Sequence, residues 1–164
     1  MNRQPILVLT TGGTIDKNYF DALSEYQIVD SGIPALLEEA RVAVPVRVVE
    51  LMRKDSLELT DADRTLIASA ARAAPETRIV ITHGTDTMAE TAKVLAAEVP
   101  GKTICLTGAL SPARFAETDA PFNLGMALAT VQIAAPGVYI AMSGQVFDGL
   151  KVRKDRAAGK FVDV

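Results

Sequence analysis

The stretch Ile6-Leu7-Val8-Leu9-Thr10-Thr11-Gly12-Gly13-Thr14-Ile15 decides the reading of this chain. Consecutive apolar residues without alternation mark a strand covered on both faces. The glycines that follow let the backbone turn sharply with its N–H groups bare, so Thr14 presents a hydroxyl at the strand's carboxyl end. A second stretch is built the same way: Ile79-Val80-Ile81 runs into Thr82-His83-Gly84-Thr85-Asp86-Thr87-Met88. Hydroxyls, a carboxylate and open backbone amides at the ends of two parallel strands suit a doubly wound sheet that binds and attacks a small polar ligand. Neither motif fits a nucleotide site, because there is no G-x-G-x-x-G spacing and no lysine after the glycines.

Working outward, apolar runs rich in Val and Ile recur at residues 5–10, 45–51, 78–82, 102–107 and 137–142. Between them lie helically spaced sets such as Met88, Ala92, Leu95 and Val99, or Leu124, Ala127, Leu128 and Val131. This alternation predicts an α/β fold, a flavodoxin-like doubly wound parallel sheet with helices on both faces and right-handed crossovers. Capping boxes are expected at Thr60–Asp63 and Thr87–Glu90, and Pro100-Gly101 and Pro136-Gly137 end the helices before them. If Thr87 and Glu90 cap their helix, Thr85 and Asp86 are surplus to structure and free for chemistry. The segment over residues 15–31 has no clean period and carries Tyr19, Phe20 and Tyr26, which makes it a lid candidate. The basic segment over residues 150–164 reads as a trailing end. With 164 residues, the chain is expected to form one domain, 1–164.

Composition narrows the classes. Net charge is −3 and aromatic residues make up only 5%, which argues against nucleic acid as a partner. The longest apolar stretch, Met126–Met142, is interrupted by Gln132, Pro136 and Gly137, so no membrane span is expected. The start, Met1-Asn2-Arg3-Gln4-Pro5, lacks a signal-peptide pattern, and the cytoplasm is the expected compartment. One histidine, His83, and one cysteine, Cys105 in an apolar run, argue against a transition-metal centre, and no cofactor or metal is implied.

The two threonine motifs, followed in order by Leu106-Thr107-Gly108-Ala109-Leu110 and Asp119-Ala120-Pro121-Phe122-Asn123-Leu124, closely resemble those of the bacterial-type L-asparaginases (the asparaginase/glutaminase family). The resemblance runs along nearly the whole chain, as a short form without the family's smaller C-terminal domain. It implies an amidohydrolase converting L-asparagine to L-aspartate and ammonia, with weak glutaminase activity as a side reaction. Thr14 becomes the nucleophile, Thr85 and Asp86 the second hydroxyl and its acidic neighbour, and Lys154, registered by Asp148-Gly149, the lysine that polarises Thr85. Tyr26 in Ser24-Glu25-Tyr26-Gln27 matches the family's catalytic tyrosine by order, while Tyr19 lies closer to Thr14 in sequence. Both stay open. Lys17 in the same segment is either solvated or set beside a tyrosine.

The resemblance further places Ser56 on the substrate's α-carboxylate and Asp55 beside it among the substrate-binding residues, with Leu57 standing where the family usually has a polar residue. Asp86 takes the α-ammonium group, and the Ala109 carbonyl takes the leaving amide. The N–H groups of Gly13 and Thr85, beside Gly84, form the oxyanion hole. Without the second domain, which in the two-domain enzymes completes a neighbouring subunit's pocket, a high KM, looser discrimination and self-association into dimers or tetramers are expected. Two rival readings are a non-catalytic amino-acid-binding module and the asparaginase-like subunit of a tRNA-dependent amidotransferase. The first is opposed by the chemically competent residue at every catalytic position, the second by the acidic, short chain.

Overall fold

Leu7 and Leu9 point to one side of strand β1 (Ile6–Gly12), Ile6 and Val8 to the other, and each pair meets its own buried cluster. The computed structural model describes residues 4–164, so the expectation for Met1–Arg3 lies outside the described residues. After β1 come a 3-10 turn (Thr14–Asp16), strands β2 (Lys17–Phe20) and β3 (Glu25–Ile28), helix α1 (Ile33–Glu39) and strand β4 (Val46–Lys54). A second 3-10 turn (Ser56–Glu58) leads to α2 (Asp61–Ala73), β5 (Arg78–Thr82), α3 (Met88–Glu98), β6 (Thr103–Thr107) and α4 (Ala120–Ile133). The chain continues through β7 (Gly137–Met142), β8 (Gln145–Asp148), β9 (Val152–Asp155) and β10 (Lys160–Asp163).

The main sheet has the order β4-β1-β5-β6-β7-β8. Its first five strands are parallel and β8 is antiparallel to β7. Counting the parallel strands in chain order gives the doubly wound order of the flavodoxin-like folds, in which ligands collect where the winding reverses, between β1 and β5 here. Each of the two glycine motifs leaves the sheet at that point.

One expectation needs correction. Residues of α2 and α3 pack with Leu7, Ile79 and Ile104 on one face, and residues of α1 and α4 pack with Ile6, Val80 and Cys105 on the other. The step from β1 to β4 runs one way across the sheet, and the steps through β5, β6 and β7 run the other way. A constant hand would leave α1 alone on its face, so the β6–α4–β7 crossover has the opposite hand to the other three, the left-handed exception to a strong rule. The connection over residues 108–119 makes this possible. It crosses the carboxyl edge of the sheet before α4 begins, with the Ala113 N–H on the Ile15 carbonyl at 3.0 Å and Arg114 on the Asp30 carbonyl at 2.6 Å.

Two local readings also change. At α2 the expected capping box forms between Thr60 and Asp63. At α3 it does not, because the Thr87 hydroxyl donates instead to the Ser56 carbonyl at 2.8 Å, a tertiary bond in place of a local cap. The lid candidate is an antiparallel hairpin, β2–β3, with Tyr19 opposite Tyr26. Its base is pinned by the buried Asp16, whose carboxylate accepts from the Ser31 hydroxyl at 2.9 Å and the Gly32 N–H at 3.2 Å.

The end of the chain does not trail away. Strands β9 and β10 form a hairpin in which Val152 and Phe161 are buried in the main core and the Phe161 ring stands 6.3 Å from that of Phe147. Arg153 and Lys160 alternate with these apolar residues on the opposite face, while Lys154 shares the face of Val152 and Phe161, so a count of charges hides the strand period. Phe161→Ala is expected to lower stability by about 3 kcal/mol, the loss for an aromatic side chain in a packed core. Urea unfolding of the two proteins measures it, and a change within about 0.5 kcal/mol, as at a loose surface position, refutes the docked hairpin.

Candidate active site

Three turns meet behind Thr14. Gly12 and Gly13 have φ of 106° and 82°, in the left-handed region where a side chain is strained. There is also no room for one. A Cβ on Gly12 meets the Lys54 carbonyl oxygen at 2.5 Å, and a Cβ on Gly13 meets the Gly84 nitrogen at the same distance. On Gly84, in turn, a Cβ meets the Ser56 side chain at 2.7 Å. The Thr14, Thr85 and Ser56 segments are therefore stacked backbone to backbone across the switch point. The Gly13 N–H is already committed to the Lys54 carbonyl at 3.0 Å, which removes it from the expected oxyanion hole and leaves Thr85 of that pair. Thr14 itself is half-buried, at the head of its 3-10 turn.

Lys154, carried by the C-terminal hairpin, reaches back to the second motif. Its ammonium donates to the Thr85 hydroxyl oxygen at 2.7 Å and to Asp86 Oδ1 at 2.8 Å, and only 15% of its side chain is exposed. A donor on the Thr85 oxygen stabilises negative charge there and leaves the hydroxyl proton free to be given away. Arg156 stands 3.8 Å from the same Asp86 oxygen.

Two sets of supporting residues were not assigned roles from the sequence. His83 is fully buried, and burial lowers its pKa from the ordinary 6.5 to about 4. Its Nδ1 faces the Gly84 carbonyl at 2.6 Å and its Nε2 the Thr91 hydroxyl at 2.8 Å. A carbonyl only accepts, so Nδ1 carries the proton and the neutral ring pins Gly84. The second set is Asp119 and Asn123. Asp119 accepts from the N–H groups of Leu110 and Ser111 at 2.9–3.0 Å. The fully buried Asn123 donates to the Gly108 carbonyl at 3.0 Å and to Asp119 at 2.9 Å, and accepts from the Ser143 N–H at 3.2 Å. Ala109 is thus held from both sides. The available signal was the i, i+4 spacing of Asp119 and Asn123 at a helix start.

On the lid side, Lys17 Nζ donates to Asp55 Oδ2 at 2.9 Å, so the lysine is neither free in solvent nor committed to a tyrosine. Tyr26 lines a recess of about 320 Å³ with Lys17, Asp55 and Glu58. The Tyr19 ring lies 5.1 Å from that of Tyr26 and the Phe115 ring 6.1 Å from it, both tilted against it. The Ser56 hydroxyl is buried with no hydrogen-bond partner among the described residues, whereas the Leu57 side chain beside it is 65% exposed. Among the described residues no group of His, Cys, Asp and Glu is placed to hold a metal ion, and no helix is long and apolar enough to cross a membrane.

Residues 5–160 match the family model described as "Asparaginase, N-terminal". The chain is 32% identical over 163 residues to an L-asparaginase of Thermococcus kodakarensis, covering 94% of this chain and 48% of that protein. The solved structure of the thermostable L-asparaginase from Thermococcus kodakarensis superposes with a TM-score of 0.86 at 29% identity, over 98% of this chain and 51% of that one. The chain is also 30% identical over 175 residues to one of the subunits of the glutamyl-tRNA(Gln) amidotransferase of Methanococcus vannielii, covering 93% of this chain and 39% of the relative. It spans about half the length of the asparaginases it matches.

Two measurements follow from this packing. Gly84→Ala is expected to destabilise the fold by about 1–3 kcal/mol, because the new methyl has no space against Ser56; an unchanged urea midpoint rules out the stacked turns. His83 gives a pH signature. The unfolded chain takes up its proton near pH 6.5 and the folded one only near 4, so stability is complete above 6.5 and falls as the pH drops through that window, by on the order of 3 kcal/mol. Asp55, Asp63 and Glu76, whose carboxyls are held low, add their losses only below the ordinary carboxylate range. An NMR titration in which the His83 ring protonates near 6.5 contradicts this assignment.

Proposed function

Because this chain belongs to the asparaginase family through its N-terminal-type domain, we propose that it hydrolyses the side-chain amide of L-asparagine to L-aspartate and ammonia, with Thr14 as nucleophile. The observation that carries this reading is the pair of hydrogen bonds from Lys154 to Thr85 and Asp86, between residues 69 and 68 positions apart in sequence. A lysine held that way serves an oxygen that must bear charge or pass on a proton. A solvated surface lysine needs no such arrangement.

In this reading the Thr14 hydroxyl oxygen bonds to the amide carbon while its proton passes to a nearby base, for which Tyr26 is preferred over Tyr19 because it lines the recess with Lys17 and Asp55. The tetrahedral oxyanion lies against the Thr85 N–H. The carbon–nitrogen bond then breaks, ammonia leaves past the Ala109 carbonyl with a proton relayed through Thr85, and water resolves the ester to give the carboxylate and free Thr14. Asp86 faces the substrate's ammonium group. Gly13 and Gly84 supply the close backbone approach that brings the two threonines to one place, and Asp55 and Ser56 stand at the substrate's α-carbon end.

Assayed by itself, a chain spanning half of its relatives' length lacks what the other half contributes around a substrate, so a high KM and some turnover of L-glutamine belong to the proposal. Self-association into dimers or larger oligomers and a cytoplasmic setting remain part of it. The similarity to an amidotransferase component keeps that second reading in view, as a domain that releases ammonia with the same residues. The test is ammonia release from L-asparagine and L-glutamine at millimolar concentrations. Thr14→Ala is expected to bring release to background, and Lys154→Met to reduce it by about a hundredfold, as for loss of a donor that stabilises developing charge. Undiminished release from the Thr14 variant refutes the mechanism.

A further inference from the structure

No Asp, Glu, Lys or Arg occurs from Ala120 to Phe147, although such residues make up 23% of the chain. The run covers α4, β7 and most of β8, and part of it faces water. Leu124, Ala127, Leu128 and Val131 bury one side of α4. The other side carries Phe122, Met126, Ala129 and Ile133, and Phe122 and Ile133 are 62% and 87% exposed. A helix face open to water ordinarily carries charge. Gly125 lies on this same side, and a glycine inside a helix is unfavourable. A Cβ there has nothing within 4 Å, so the packing of the chain itself does not require it, whereas close approach by another backbone does.

We infer that this face is where a second copy of the chain docks, with the two α4 helices antiparallel about a two-fold axis. Phe122, Met126, Ala129 and Ile133 follow one another at steps of four, three and four, the spacing of the apolar seam between paired helices. An axis passing between residues 127 and 128 sets Phe122 of one copy opposite Ile133 of the other, and Met126 opposite Ala129. Large meets small near the centre, beside Gly125, and the bulkiest residues close the two ends. Val146, on the edge strand β8, pairs with Ala141 of the cluster beneath α4, so it points to the same side of the sheet and widens the patch.

The absence of charge selects the occupant. Across a two-fold axis a face meets an identical face, and two chains of net charge −3 repel wherever charged faces meet. A face without charge escapes this, and one whose large and small residues exchange places about its own centre fits itself. A partner of different sequence needs neither property. The seam is short, about 21 Å for 14 residues, so the dimer is a weak one that dissociates in the micromolar range.

This gives the proposed self-association one particular surface and does not depend on the amidohydrolase chemistry. Sedimentation equilibrium of the unmodified chain between about 1 and 100 μM is expected to show a dimer that dissociates on dilution. Ile133→Glu, at a nearly fully exposed position, should leave the urea midpoint unchanged and weaken association at least about a hundredfold, because a carboxylate enters the apolar seam at each end. Adding Phe122→Lys to Ile133→Glu should restore association to within about tenfold, through ion pairs that only the antiparallel register provides. An independent check is oxidation of a variant carrying Phe122→Cys and Ile133→Cys. These positions are about 16 Å apart along one helix, too far for a bridge within a chain, so they are expected to link two chains; Cys105 is buried and takes no part. A monomer at every concentration overturns the inference, and self-association with it. Association undiminished by Ile133→Glu, no recovery in the double variant, or no cross-link also overturns it, whether or not the chain hydrolyses amides.

Discussion

Everything at the carboxyl edge of this sheet depends on a backbone contact, the approach of Gly13 to Gly84 to within less than the width of one methyl group. Two strands of a parallel sheet are fixed side by side by their hydrogen bonds, but the turns that leave them ordinarily diverge as the winding reverses. Here they converge, because neither carries a side chain at the point of contact and a third turn, at Ser56, closes on Gly84 from the far side. The buried His83 locks the arrangement by holding the Gly84 carbonyl, and it does so as a neutral ring, which brings no buried charge into the stack. The position of each hydroxyl follows from the contact and does not depend on its own rotamer alone.

Around this neutral nucleus the charges come in two partly buried pairs. Lys154 bonds both Asp86 and the Thr85 hydroxyl, and Lys17 bonds Asp55, which caps the turn bearing Ser56. In each pair the carboxylate fixes a lysine, an arrangement that keeps a partly buried cation from being left unpaired. The loop bearing Ala109 is governed differently, donating its N–H groups to Asp119 at the N-cap of α4 and accepting from Asn123 within that helix, the one whose crossover breaks the usual hand. That reversed crossover sends the loop over the site before α4 starts, so the topological irregularity and the loop's placement share one cause.

How much of this was legible in the sequence depended on how local the signal was. Continuous runs such as Ile79-Val80-Ile81 locate the parallel strands because burial on both faces leaves no polar alternative, and the two glycine motifs mark the edge where chemistry collects. The hand of the β6–α4–β7 connection was hidden, since the same pattern of strand and helix serves either hand. Thr87 looked like a helix cap because the competing acceptor, the Ser56 carbonyl, lies far away in sequence. The Gly13 amide looked free for the same reason, its partner being Lys54 on the adjacent strand. Lys154 was placed by resemblance; the strand period that buries Val152 and Phe161 was masked by the basic residues between them. The family match and the superposition support the fold and the family, while the roles of individual side chains rest on geometry and chemistry.

The C-terminal hairpin gives the molecule two tiers of cooperativity. Strands β9 and β10 pair only with each other and join the core through a few side chains, whereas the central strands are bonded on both edges. Units of that kind open sub-globally, at lower free energy than the body they rest on. Each such opening withdraws Lys154 from Thr85 while the sheet and its stacked turns stay folded. The ammonium group at the second threonine is then governed by a local equilibrium of its own, so amide-exchange protection in the last strands reports how much of the folded population holds a complete site.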